Sequence, residues 1–441
     1  MERKVLLIDT KILITQDHIQ LIKMIRNPKT FCNNLLYKND SMFIEGVSCE
    51  KIGRSLGTPI YCYSTQEIKS NYENFKKSIS EFDSMICYAV KANFNKYIIS
   101  LLAELGSGAD VVSKGEIKLA LSSGIKPEKI VFSGVGKTKK EISYAIKKKI
   151  YQINVESIEE LKEIEDLIKE EKVKKRIDIS LRINPDVDAN THKKISTGRY
   201  EDKFGIPYHR VTEIFKKYKD NRYINLCGLA IHIGSQITDI KPFDQAFHKL
   251  RMLIISLKDN GSEVSRIDLG GGIGIVYSNN STISFDDYRD IIKKNFFDLN
   301  LKIIFEPGRS LVGSAGILVS KVIRNKKGEV NDFLIIDCGM NNLIRPSMYD
   351  SYHEIFPVIL KKNEIVDIDI VGPICESSDV FGKKRKIEKM VKEELLVLCS
   401  VGAYGSCMSS NYNCRDVAKE VFIDGKKIMD SNGKRIKLSK G

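Results

Sequence analysis

The chain contains no tryptophan, no C-x-x-C pair among its ten cysteines, and no apolar run near the ~18 residues that a membrane span needs. The missing cysteine pairs, and histidines without ligand spacing beside them, exclude the common zinc-ribbon and dithiol motifs, so no metal is expected. Cysteines 32, 49, 62, 87, 227, 338, 375, 399, 407 and 414 are dispersed along the chain. That usage fits a reducing compartment. The N-terminus lacks the small-residue cleavage pattern of a secretory signal, so the expected location is the cytoplasm, with no membrane partner. A concentrated stripe of positive charge is also lacking, although the formal net charge is +14. The lysines fall in short runs such as "IKKKI" (146–150), "KVKKR" (172–176) and "GKKRK" (382–386), which read as solvated helix faces and turns. No nucleic-acid partner is expected.

What the chain does contain is a folded composition, 42% hydrophobic and 29% charged, over 441 residues, more than one ordinary core accommodates. Eight β-rich segments recur with amphipathic stretches between them. They are "MICYAVKAN" (85–93), "GADVVS" (108–113), "KIVFSGV" (129–135), "YQINVES" (151–157), "RIDISLRINPD" (176–186), "LCGLAIHIGSQ" (226–236), "RIDLGGGIG" (266–274) and "LKIIFEPGRS" (301–310). The connection "SIEELKEIEDLIKEEKV" (157–173) carries Ile158, Leu161, Ile164, Leu167 and Ile168 on one helical stripe. Strands alternating with helices in this number predict an α/β fold, a (β/α)8 TIM-like barrel, whose usual size is ~250 residues. From residue 316 onward the runs are β-like without intervening helices, which predicts a C-terminal β domain. The expected division is an N-terminal extension over 1–60 lending strands to the β domain, the barrel over 61–312, and the β domain over 313–441.

Chemistry in such barrels sits at the C-terminal ends of the strands. The first strand ends in Lys91, the sixth in His232, the seventh in Gly270, Gly271 and Gly272, and the eighth in Glu306, Pro307, Gly308 and Arg309. A lysine in a mostly apolar pocket loses hydration of its ammonium form, which frees the amine to act as a nucleophile. Consecutive glycines let backbone N–H groups approach an anion, for which phosphate is a natural guest. His232 can lie flat on a planar ring, and Glu306 can face a protonated ring nitrogen. A planar, phosphorylated aldehyde with a basic ring nitrogen is pyridoxal 5'-phosphate. Each feature alone also suits a structural role, so the inference rests on their convergence. Two other patterns fail. "GGGIGI" (270–275) has Ile275 where a dinucleotide fingerprint needs glycine, and "VFSGVGKT" (131–138) has Val131 where a P-loop needs its first glycine.

The motifs "YAVKAN", "HIGSQ", "DLGGGIG" and "EPGRS", in this order, resemble the alanine-racemase-like, fold-type III pyridoxal-phosphate enzymes, and within them the decarboxylase branch. The likeness runs from about residue 43 to about residue 430. "IRPSMYDSYHEI" (344–355), "GPICESSDVFG" (372–382) and "GAYG" (402–405) resemble the substrate-recognition segments of the diaminopimelate decarboxylases.

The resemblance implies decarboxylation of meso-2,6-diaminopimelate to L-lysine by a homodimer with shared active sites. It implies that Lys91 binds the cofactor covalently, His232 stacks on its ring and Glu306 faces its nitrogen. Ser235, Gly270 to Gly272, Pro307, Gly308 and Arg309 would hold the phosphate end, and Tyr404 would touch both cofactor and substrate. Cys375 is the implied proton donor, with Lys91 the alternative. Arg309, Arg345, Tyr349, Glu376 and Tyr404 would bind substrate, the arginines on its distal carboxylate and Glu376 on its distal ammonium. The segment 190–205 is expected to cover the site. Alternatives are a decarboxylase of ornithine, arginine or carboxynorspermidine, and a non-catalytic relative that binds the cofactor.

Overall fold

The computed structural model describes residues 27–188, 202–278, 281–361 and 364–438. Most of the expected covering segment lies outside the described residues. Near the N-terminus, β1 (Leu35–Lys38), β2 (Ser41–Ile44) and β3 (Val47–Ser48) form a small antiparallel sheet, followed by β4 (Ile60–Ser64).

The barrel strands come next. They are β5 (Ser84–Ala89), β6 (Gly108–Val111), β7 (Ile130–Phe132), β8 (Gln152–Val155) and β9 (Ile177–Asn184). After the short β10 (Ile206–Pro207), which pairs with β9, come β11 (Ile224–Ala230), β12 (Arg266–Asp268) and β13 (Lys302–Phe305). Eight of these strands run parallel in the order β9-β11-β12-β13-β5-β6-β7-β8, and the β8–β9 pairing closes the ring. The strands read as nearly continuous apolar runs because both faces of a barrel wall are covered, inside by side chains and outside by helices.

The connecting helices start where small hydroxyl residues can cap them. Ser64, Ser113, Ser157 and Ser284 each accept a backbone N–H at a helix start, and Thr138 with Glu141 forms a capping box. The helix expected over 157–173 spans Ile158–Glu170 and buries Leu161, Ile164, Leu167 and Ile168.

The β domain is built from β14 (Gly316–Lys326), β15 (Phe333–Ile336), β16 (Ile355–Pro357), β17 (Ile365–Val371), β18 (Val380–Glu388), β19 (Leu395–Leu398), β20 (Lys419–Asp424), β21 (Lys427–Met429) and β22 (Arg435–Ile436). Strand β4, which straddles the boundary drawn at residue 61, pairs with β14 and β20 in this sheet rather than with the barrel. Its side chains alternate between two cores. Tyr61 and Tyr63 pack with the barrel-side cluster, while Ile60 and Cys62 face a second one. That second core also takes Phe31, Leu35, Met42, Ile44 and Ile52 from the N-terminal segment, with Ile317, Val319 and Phe356 from the β domain. All ten cysteines are free thiols, and Cys32, Cys49, Cys62 and Cys399 serve that core as small apolar side chains. Among the described residues no helix is long and apolar enough to cross a membrane.

Candidate active site

Strand β5 ends in a single 3-10 turn, Val90–Ala92, that carries Lys91 to the barrel mouth. The turn is fastened from the β domain. Tyr404 donates its N–H to the Ala92 carbonyl at 2.8 Å, and Asn93 Nδ2 donates to the Gly402 carbonyl at 3.1 Å. Small neighbours are needed here. A Cβ on Gly308 would lie 3.0 Å from the Ala92 Cβ and 3.1 Å from the Ala89 Cβ, so the alanines let the Glu306–Arg309 segment pack beside the lysine.

Lys91 is half-buried, and its Nζ lies 2.5 Å from Asp110 Oδ2 at the end of β6. Burial lowers the lysine's proton affinity, but Asp110 and then Glu306 outweigh it, so its pKa is raised. The expectation of an apolar pocket that frees the amine is therefore corrected: without cofactor, Lys91 is an ammonium in an ion pair. Below it, burial pushes Asp268 up to about 6. Burial, Asp110 and Asp268 together hold Glu306 well above the usual carboxylate range. Asn154 Nδ2 donates to Asp268 Oδ2 at 2.9 Å and to Ser133 Oγ at 3.0 Å, and Ser133 lies 3.4 Å from Glu306 Oε1.

His232 follows β11, and its Nδ1 accepts the Gly271 N–H at 3.2 Å. Burial and the cations of Arg182 and Lys91 hold the ring well below its ordinary pKa, so the imidazole is neutral with its proton on Nε2. The three glycines permit a contact that no other residue allows. A Cβ on Gly270, Gly271 or Gly272 would come within 2.5 Å of the Ile231 carbonyl, 2.3 Å of the Glu306 carbonyl or 2.6 Å of the Gly234 carbonyl, respectively. The notion that all three N–H groups face an anion is corrected at two positions, since Gly270 N–H bonds to Asp268 and Gly271 N–H to His232.

Two guanidiniums flank this centre. Arg309, 7% exposed, donates to Tyr277 Oη at 2.6 Å and Ser235 Oγ at 3.0 Å, and stands 4.7 Å from the Tyr404 ring centre. Its buried Nε has no partner. Arg345, 4% exposed, stands 4.5 Å from the Tyr277 ring centre and 2.8 Å from His353 Nε2. Among the described residues neither arginine forms an ion pair with a carboxylate. Burial and the cationic Arg309 lower the pKa of Arg345. Tyr349 closes the short helix that Arg345 opens. Cys375 and Glu376 are exposed, and their hydrogen bonds go to Asn413 and Tyr412 rather than to the Lys91 cluster. Sequence reasoning did not single out Asp110, Asp268, Tyr277 or His353. The polar Asp110 inside the apolar "GADVVS" run was the available signal for the first.

A lysine paired with a buried carboxylate, a glycine-lined junction and a neutral imidazole meet at one barrel mouth, a set suited to a pyridoxal-dependent enzyme. The family model described as "Pyridoxal-dependent decarboxylase, pyridoxal binding domain" matches residues 65–313. The diaminopimelate decarboxylase of Aquifex aeolicus is 43% identical over 391 residues, covering 88% of this chain and 92% of its own. That of Helicobacter pylori strain J99 is 44% identical over 380 residues, covering 86% and 93%. The solved H. pylori diaminopimelate decarboxylase complexed with L-lysine superposes with a TM-score of 0.83 at 42% identity, covering 88% of this chain and 97% of that one. The chain belongs to the diaminopimelate decarboxylase family.

Because Asp110 raises the pKa of Lys91, removing its charge lowers that pKa. In cofactor-free Asp110→Asn protein, the rate of pyridoxal phosphate capture should reach its plateau at lower pH than in the parent. A pH profile superimposable on the parent's would contradict the ion-pair account.

Proposed function

We propose how the described residues carry out the reaction of this family, the pyridoxal-phosphate-dependent decarboxylation of meso-2,6-diaminopimelate to L-lysine and CO2. The observation that carries the reading is the pair of buried guanidiniums, Arg309 and Arg345, which flank the Tyr277 ring and have no carboxylate partner among the described residues. A buried unpaired cation is costly, and a carboxylate that accepts bidentate bonds relieves the cost. The substrate's distal carboxylate is such a group, and the buried Arg309 Nε is a donor in want of one. A substrate whose far end carries only an amine, such as ornithine, would leave both arginines unrelieved.

The residues present fit the cofactor: an amine for its aldehyde, a side-chain-free junction at Gly270–Gly272, and a buried carboxyl. When bound, pyridoxal phosphate supplies the aldehyde that takes the substrate amine and the electron sink that accepts the electrons left by departing CO2. Lys91 would hold it. Glu306, kept protonated by its surroundings, would hand its proton to the ring nitrogen and remain as the counter-ion. His232, neutral and fixed by Gly271, would cover one ring face. Ser235, Gly272 and the Pro307–Gly308–Arg309 backbone would surround the phosphate end, and Tyr404 would close the site.

Cys375 is the proposed proton donor to the carbon that has lost CO2, with Lys91 the alternative. The exposed placement of Cys375 and Glu376 supports a homodimer in which this pair enters the site of the other subunit. Glu376 then meets the distal ammonium, and Tyr349 lines the same end. Ten free thiols support residence in the cytoplasm.

Arg345→Ala should raise the KM for meso-diaminopimelate at least tenfold, the loss of a charged hydrogen-bonded contact worth about 1.5–3 kcal/mol. The cofactor absorbance should be preserved. An unchanged KM would refute the distal-carboxylate reading. If the sites are shared, mixing inactive Lys91→Ala and Cys375→Ala dimers under exchange conditions should restore activity through hybrids with one intact site. A mixture that stays inactive after verified exchange would refute sharing.

A further inference from the structure

Arg345 is held by a group that the mechanism has not used. His353 is fully buried, eight residues beyond Arg345, where the chain returns toward β16. Its Nδ1 lies 2.8 Å from the Cys399 carbonyl, and its Nε2 lies 2.8 Å from Arg345 Nη1. A carbonyl can only accept and a guanidinium can only donate, so the two contacts together fix the ring as a neutral imidazole protonated at Nδ1. Its backbone is tied as well, because Arg385 Nη2 donates to the His353 carbonyl at 2.6 Å. Tyr277 completes the mount. Its ring meets His353 edge-on with centres 5.1 Å apart, and its hydroxyl accepts from Arg309.

The chemical identity of this holder matters. A carboxylate in the place of His353 would orient Arg345 equally well but would neutralise it, and the pocket would lose its attraction for an anion. A neutral acceptor sets direction and leaves the charge intact. It also occupies one N–H, which leaves the remaining donors of the fork for a carboxylate.

We propose that His353 is a positioning residue for the substrate's distal carboxylate, a neutral imidazole locked in one tautomer by the Cys399 carbonyl that aims Arg345 without cancelling its charge. The role rests on the reading of Arg345 given above.

His353→Asn keeps a donor within reach of the Cys399 carbonyl but is too short to accept from Arg345, whereas His353→Gln can present an acceptor farther out. Offered as competing ligands, L-lysine, which has the distal amino-carboxylate, and cadaverine, a diamine with no carboxylate, separate positioning from general damage. In the Asn variant the KM for meso-diaminopimelate and the Ki of L-lysine should rise together, roughly tenfold to a hundredfold for one lost hydrogen bond to a charged group. The turnover number should fall far less, the cadaverine Ki should hold, and the Gln variant should recover part of the loss. Parallel rises for L-lysine and cadaverine would overturn the proposal. So would an unmoved L-lysine Ki in the Asn variant when Arg345→Ala raises it. If Arg345→Ala also leaves the L-lysine Ki unmoved, the reading of Arg345 fails and takes this role with it. In the unmutated protein labelled with 15N-histidine, His353 should show a protonated Nδ1 and an unprotonated Nε2. The opposite tautomer would overturn the proposal with no variant needing to fold.

Discussion

The short contact between Lys91 and Asp110 is the interaction on which the rest of the site depends. One ammonium stands among three carboxyl groups at the mouth of a barrel, where water is scarce and unpaired charge is expensive. The site cannot keep all three carboxyls ionised. Asp110 pairs with Lys91, while burial pushes Asp268 up to about 6 and burial with the neighbouring carboxylates holds Glu306 well above the usual carboxylate range. That distribution suits a cofactor that brings a basic ring nitrogen, since a protonated Glu306 has something to give. Second, it explains the polar network of Asn154 and Ser133 beneath the site, which supplies donors to carboxyl oxygens that would otherwise be buried unsatisfied.

The barrel alone does not set the position of Lys91. At the turn that carries it, Asn93 Nδ2 donates to the Gly402 carbonyl and the Ala92 carbonyl accepts the Tyr404 N–H, so the β domain fixes the height of the amine above the barrel. The same segment brings Tyr404 under Arg309, whose other partners are Ser235 from the barrel and Tyr277 from the stretch after β12. With Lys91 and Arg309 in the roles proposed above, cofactor attachment and substrate recognition would share one set of contacts between the two domains. The strand β4 reinforces this arrangement by placing alternate side chains in the cores on either side of the β-domain sheet.

Much of this was legible in the chain itself. Eight parallel strands show as apolar runs because each is covered on both faces, and the residues that end them mark the barrel mouth. The helix over 158–170 follows from a single stripe of Leu and Ile. The charge state of Lys91 was not legible. It depends on which way Asp110 points, and a polar residue in a strand carries no mark of its direction. Tyr277 and His353 escaped for a related reason: they act through Arg309 and Arg345, reached across 32 and 8 residues of chain, and neither has a spacing that announces a partner. The glycines were visible as a cradle, but the capture of two of their N–H groups by Asp268 and His232 needs the three-dimensional junction. The roles proposed for Cys375 and Glu376 rest on family resemblance, and both side chains lie at the surface of this chain.

The central claim is that the ε-amine of Lys91 is the group that joins covalently to pyridoxal phosphate. Borohydride reduction of the cofactor-loaded protein followed by peptide mapping tests it most directly. The account predicts a reduced pyridoxyl label on the peptide containing Lys91 and on no other lysine at stoichiometric yield. A stoichiometric label on a different lysine, with Lys91 recovered unmodified, would contradict it.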